Sequence, residues 1–241
     1  MKLRSCKNFL NTANLNSKDF KMRAALKNIV AHTYKPFLEK YLSKKRIYTY
    51  RNIKLQIPPE VFHPGFFTST QLLLQYLKKL TLRGKKFLEL GAGNGLISIY
   101  AAKHGAKVTS SDINPVAVEY LHVNSLENRT SIDNILSDLF ENIPLQQFDI
   151  IAINPPYYKR NPQSLLDHAW YCGENGEFFF RLFNQLPGYV YNNSEAIMVL
   201  CEGCDIKMIG EAATQNGFRL SCLQTKQSLI EKNFIYKIEE I

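Results

Sequence analysis

No stretch of this chain approaches the roughly 18 consecutive apolar residues that a membrane-crossing helix needs. The first residues, MKLRSCKNFLNTANLN, carry positive charge without the apolar run of an export signal, so a cytoplasmic protein without membrane contact is expected. Cysteine is scarce: five in 241 residues, irregularly spaced, too few and too scattered for a disulfide framework. Cys201 and Cys204 form one Cys-x-x-Cys in CEGC, but a structural zinc takes about four ligands, and no second pair accompanies them. Neither a metal site nor a thioredoxin-like dithiol is expected. Two glycine spacings are missing as well. Without G-x-x-x-x-G-K-[ST] or G-x-G-x-x-G, a triphosphate loop and a nicotinamide dinucleotide site lose support.

The hydrophobic fraction of 45% and charged fraction of 21% fit an ordinary globular chain long enough for one large domain and a short appendage. We expect a basic helix-and-hairpin extension over residues 1–60 and a larger domain over 61–241. The net charge of +9 is concentrated in that extension, where 14 Lys and Arg face only Asp19, Glu39 and Glu60. Such asymmetry suggests contact with a polyanion, ribosome-associated RNA being the natural candidate. A solvated, lysine-rich helix face is the plain alternative, and the interleaved aromatics Tyr34, Phe37, Tyr41, Tyr48 and Tyr50 read as core positions as readily as stacking platforms. Residues 18–44 read as helix split by Pro36. RIYTYRNIKLQIPP alternates around Arg51-Asn52 as a hairpin does, and STQLLLQYLKKL is helical in period, with Ser69 as a candidate cap.

From Lys86 onward the pattern is strand then helix, repeated. KKFLELGAGNGLISIYAAKHGAKVTSSDINPVAVEYLHVNS reads as strand, glycine loop, helix, strand, acidic end, helix. A third strand precedes Asp138, and further strands fit 148–153, 195–201, 217–224 and 233–239. This predicts an α/β, doubly wound, seven-stranded and mostly parallel sheet. The last two strands lack an intervening helix and should pair antiparallel at one edge.

Chemistry concentrates at the ends of these strands. ELGAGNG places Gly91, Gly93 and Gly95 at alternate positions after Glu89, where glycine lets backbone approach a ligand. Asp112 ends the next strand, and a carboxylate there accepts from both ribose hydroxyls of an adenosine. Asp138, in ILSDLF, is placed to accept from an adenine amino group. Three carboxylates without a neighbouring basic residue suit a cationic nucleoside better than a pyrophosphate. Ordinary helix caps explain any one of them but not the set.

The apolar run FDIIAI then ends on Asn154, Pro155, Pro156 and Tyr157. Two prolines remove two backbone donors and fix two φ angles, so the loop is stiff where such sheets bind ligands. An amide or aromatic-amine nitrogen is a poor nucleophile because its lone pair is delocalised. The Asn154 side-chain carbonyl and the Pro155 backbone carbonyl would accept its two hydrogens and orient it, and Tyr157 would stack on the planar group. No strong base is needed before attack, so no His or Cys is expected at the site. A strand cap and turn is the alternative.

These residues resemble the class I S-adenosylmethionine-dependent methyltransferases over roughly residues 60–241. The resemblance implies S-adenosylmethionine as cofactor, with Glu89 near its methionine end, Gly91, Gly93 and Gly95 beneath it, Asp112 at ribose and Asp138 at adenine. Asn-Pro-Pro-Tyr is similar to the [DNS]-P-P-[YFW] signature of amino methyltransferases. DINP at 112–115, VFHPGFFTSTQLLL at 61–74 and HAWYCGENGEFFFRLF at 168–183 are similar to the release-factor glutamine methyltransferase family. Pro64 and Thr68 match its V-[FY]-x-P segment ending in Thr, which puts Thr68 among the implied cofactor residues; Ala169, Trp170, Gly173, Asn175 and Gly176 match its A-[LW]-x-x-G-x-[ND]-G segment. The implied substrate is a glutamine amide of a release factor. HPGFF is also similar to ribosomal-RNA guanine methyltransferases, and the basic extension differs from the longer helical domain of bacterial relatives, so an exocyclic amine of ribosomal or transfer RNA is the second expectation. A silent RNA-binding module with the same core is the third, although it would not need Asn154, Tyr157, Asp112 and the glycine loop together.

Overall fold

The computed structural model describes residues 43–59, 61, 63–66, 68–228 and 231–241. The helix expected over 18–44 falls almost entirely outside these residues.

The described chain opens with a hairpin, β1 (Arg46–Tyr50) and β2 (Ile53–Ile57), paired antiparallel. Its two-residue turn places Arg51 at φ 53°, the positive φ that tight hairpin turns require. Strand alternation sends Ile53, Leu55 and Ile57 inward. A helix, α1 (Thr68–Leu77), follows. Ser69, read as its cap, lies inside the first turn instead, because the helix already begins at Thr68.

The main sheet holds β3 (Lys86–Leu90), β4 (Lys107–Asp112), β5 (Ile132–Leu136), β6 (Ile150–Ile153), β7 (Glu195–Cys201), β8 (Phe218–Gln227) and β9 (Lys232–Glu240). Their spatial order is β5-β4-β3-β6-β7-β9-β8. The first five are parallel, and β9 inserts antiparallel between β7 and the edge strand β8. Helices α2 (Leu96–Lys103), α3 (Pro115–Glu127), α4 (Glu177–Gln185) and α5 (Ile206–Gln215) complete the fold. The seven-stranded, doubly wound sheet is the one expected.

Burial on both faces explains the near-continuous apolar strands. Along β6, Ile150 and Ala152 join a core with the hairpin, α1 and α2, whereas Ile151 and Ile153 join a second core with α4 and α5. Strand β3 divides likewise, with Phe87 in the first core and Leu88 and Leu90 in the second. The chain runs outward from β3 to β5, then returns to β6 on the other side of β3. This reversal opens a crevice at the carboxyl ends of β3 and β6, the usual ligand position in open α/β sheets.

Candidate active site

The crevice is a cavity of about 360 Å³ lined by residues from the ends of β3, β4, β5 and β6. Strand register sets its centre. Leu90 pairs with Ile153 across β3 and β6, so the next residues, Gly91 and Asn154, leave the sheet side by side. Gly91 has φ 71°, and a Cβ there would meet no heavy atom within 4 Å. The backbone thus borders open space. Gly95 does different work: it caps α2 at φ 80°, and a Cβ would lie 2.7 Å from Leu121 Cδ2. It is a packing glycine and does not line the cavity.

Glu89 reaches the cavity wall at 6% exposure. The Ser98 amide and hydroxyl donate to its Oε2 at 2.8 and 2.5 Å. Burial nevertheless dominates and pushes its carboxyl up to about 8, against the opposing pull of the Ser98 bonds. Asp112 closes the glycine loop: the Gly93 amide donates to Oδ2 at 2.8 Å and the Asn114 amide to Oδ1 at 2.9 Å. Burial raises its pKa, and these backbone donors resist the rise. Each oxygen retains accepting capacity.

Asp138 lines the same cavity but is not free of basic neighbours. Arg181 Nη2 on α4 donates to Asp138 Oδ2 and to Glu141 Oε1, both at 2.8 Å. The expected absence of a balancing cation is corrected here: the guanidinium arrives from 43 positions along the chain. Thr68 does not line the cavity. Its hydroxyl accepts from Asn233 Nδ2 at 2.7 Å and ties α1 to β9, while its neighbours Ser69 and Thr70 face the cavity.

Asn154, Pro155 and Tyr157 all line the cavity. Their loop is stitched to the 168–176 segment. The amides of Tyr157 and Tyr158 donate to the Trp170 carbonyl at 3.2 and 3.0 Å, the Cys172 amide to Tyr158 O at 3.0 Å, and the Gly173 amide to Arg160 O at 3.1 Å. The resembling HAWYCGENG segment therefore acts as a backbone splint for Asn-Pro-Pro-Tyr. Burial raises the Tyr157 phenol far above the ordinary tyrosine range, with Cys201 among its neighbours. A phenol so held stays neutral and is unsuited to proton transfer.

His168 and Cys172 also line the cavity, which corrects the expected lack of a His or Cys at the site. Burial raises the Cys172 thiol, so it is a poor nucleophile. Cys201 and Cys204 sit with sulfurs 3.6 Å apart behind Tyr157. Among the described residues, no group of three or more His, Cys, Asp or Glu is placed to hold a metal, and no helix is long and apolar enough to cross a membrane.

The sequence pattern of the methyltransferase small domain matches residues 52–171. A candidate protein N5-glutamine methyltransferase from Methanocaldococcus jannaschii is 40% identical over 144 residues, covering 57% of this chain and 71% of the relative. The chain belongs to the methyltransferase small domain family. It is an S-adenosylmethionine-dependent methyltransferase. Solved structures agree on the fold. A 16S rRNA N2 methyltransferase of T. thermophilus in complex with AdoMet and guanosine superposes with a TM-score of 0.59 at 22% identity, covering 81% of this chain and 51% of that one. The E. cuniculi Mtq2–Trm112 complex, responsible for methylation of the eRF1 translation termination factor, gives 0.57 at 22% identity, covering 76% and 99%. The residues present fit the cofactor of this methyltransferase family, since the open space over Gly91 adjoins the carboxyl groups of Glu89, Asp112 and Asp138.

Proposed function

We propose that this methyltransferase acts on a planar nitrogen, the side-chain amide of a glutamine in a translation release factor. The observation that carries the reading is the side-by-side exit of Gly91 and Asn154 from β3 and β6, which brings the glycine loop and Asn-Pro-Pro-Tyr to one cavity. S-adenosylmethionine supplies a methyl group on a sulfonium, open to direct displacement. Gly91 and Gly93 let the backbone lie close against it, and Glu89 stands at its methionine end. Asp112 accepts from the ribose hydroxyls with lone pairs that Gly93 and Asn114 leave unused. Asp138 accepts from the adenine amino group.

On the substrate side, the Asn154 side-chain carbonyl and the Pro155 backbone carbonyl accept the two amide hydrogens. They aim the nitrogen at the methyl group. Tyr157 offers its ring as a stacking face, which its neutral phenol suits. No residue need remove a proton first, because the methylated nitrogen becomes acidic and loses it afterwards. Thr68 and Gly95 act at one remove, by anchoring α1 and starting α2. The glutamine assignment draws on the M. jannaschii relative and the release-factor assignment on the E. cuniculi complex. A second reading, methylation of an exocyclic amine in RNA, draws on the basic first sixty residues and the guanosine-bound neighbour.

The test is incubation with labelled cofactor and either purified release factor or undermodified RNA. Label on a release-factor glutamine is expected; label in RNA alone overturns the substrate. Asn154→Ala should slow turnover by on the order of a hundredfold through misplacement of the reacting atom, with cofactor affinity and melting temperature unchanged. Near-normal turnover in that variant would make the segment a strand cap.

A further inference from the structure

The carboxylate assigned to adenine is held by a side chain of α4. Arg181 and Gln185 stand one turn apart on α4, and both grip the loop after β5. Arg181 Nη2 binds Asp138 Oδ2 and Glu141 Oε1, and Gln185 Oε1 accepts from the Phe140 amide at 3.1 Å. Asp138 and Arg181 both line the cavity. Sequence motifs assign no role to Arg181, and the proposed methyl transfer does not use it.

The chemistry of the pair is directional. A carboxylate only accepts hydrogen bonds, and a guanidinium only donates. A 6-amino purine presents a donor at the position where a 6-oxo purine presents an acceptor. With Oδ2 engaged by Arg181, the Asp138 carboxylate is fixed in direction and Oδ1 remains as an acceptor. Released from its two carboxylates, the guanidinium would instead be a donor available to a 6-oxo group. We infer that Arg181 is a positioning residue that sets the base specificity of the cofactor pocket, holding Asp138 as an acceptor for a 6-amino purine and keeping its own donors from a 6-oxo purine. The inference rests on the placement of adenine at Asp138 given above.

The experiment is titration calorimetry of the full chain with S-adenosylhomocysteine and S-inosylhomocysteine, which requires no turnover. The native protein should prefer the adenosyl compound. Arg181→Met should narrow that preference roughly tenfold, the value of one charge-assisted hydrogen bond, by weakening the adenosyl compound more than the inosyl one. Arg181→Lys, a single point donor, should recover part of the difference. Asp138→Asn should abolish the preference, and because Glu141 still holds Arg181 in that variant, adding Arg181→Met to it should change nothing further. If Asp138→Asn leaves the preference intact, adenine does not sit at Asp138, and both the placement and the inference fall. If Asp138→Asn abolishes it but Arg181→Met weakens both compounds equally, or neither, Arg181 is a structural ion pair and the inference alone fails. Melting temperatures of the same variants separate a loosened fold from a changed specificity.

Discussion

A carboxyl enclosed as Glu89 is resists ionisation, and its two bonds from Ser98 do not compensate fully: its pKa is pushed up to about 8. In the unfolded chain the same group ionises near its ordinary value, about 4.3. Between those values the unfolded chain has released a proton that the folded chain retains. The contribution to stability is therefore largest below the unfolded pKa and declines as pH rises toward about 8. Ligand-free protein should melt at progressively lower temperature from pH 5 to pH 8, and Glu89→Gln, which is neutral throughout, should flatten that slope. Equal slopes in the two proteins would mean that Glu89 titrates normally. At this scale the sequence was informative where function follows the local string. Glu89, Gly91, Gly93, Asp112, Asp138 and the Asn154–Tyr157 run all border the cavity because each lies just before or after a strand end. Arg181, His168 and Cys172 were missed because they come from the segment after Asn-Pro-Pro-Tyr and from α4, away from any strand end. Thr68 was misplaced by a shorter error, a helical turn in which Ser69 and Thr70 point inward and Thr68 does not.

The hairpin shows how an element can be legible while its attachment is not. Alternation in RIYTYRNIKLQI and the turn at Arg51-Asn52 mark the two strands, but nothing in the string says what meets the outer edge of β2. The structure supplies Asn124 on α3 and Asn128, which caps the C-terminus of that helix one turn later, and the two imitate a neighbouring strand. Asn124 Oδ1 accepts from the Gln56 amide at 2.8 Å and Nδ2 donates to Gln56 O at 3.0 Å; Asn128 Oδ1 accepts from the Lys54 amide at 3.0 Å and Nδ2 donates to Lys54 O at 2.6 Å. Asn124 Nδ2 also donates to Asn94 O in the glycine loop at 3.1 Å. One fully buried amide thus joins the hairpin to the cofactor loop. Asn124→Ala removes the partner of the Gln56 amide and carbonyl, and orphaning a buried polar group costs about 1–3 kcal/mol. Chemical denaturation should report a loss in that range, together with weaker cofactor binding as the loop loses its anchor. A loss below about 0.5 kcal/mol, typical of a surface substitution, would show that water replaces the amide at no cost.

At the scale of the molecule, strand-helix alternation was enough to foresee the doubly wound sheet and its reversed edge. Strand order places the cavity at the reversal between β4 and β6, on either side of β3. What alternation cannot show is how the basic first quarter relates to that sheet. The described part of it is no loose appendage: Ile53, Leu55 and Ile57 of β2 are buried in the same core as α1 and α2. Removing the first sixty residues would therefore cut into the core and confuse docking with folding. Side-chain substitution avoids this, because charge is the quantity at issue. If the 14 basic residues of this quarter bring the enzyme to ribosomal RNA, its affinity should fall steeply as salt rises, with a log–log slope of about −0.7 per phosphate neutralised on single strands, against about −0.9 for duplex DNA. Gln at Lys40, Lys44 and Lys45 should make that slope shallower by roughly two to three, while calorimetric affinity for S-adenosylmethionine stays the same, since neither of the two described ones, Lys44 and Lys45, lines the cavity. Affinity for RNA that does not respond to salt, or a slope unmoved by the triple substitution, would assign these lysines to a solvated face and leave recognition of the substrate to the residues around Asn154.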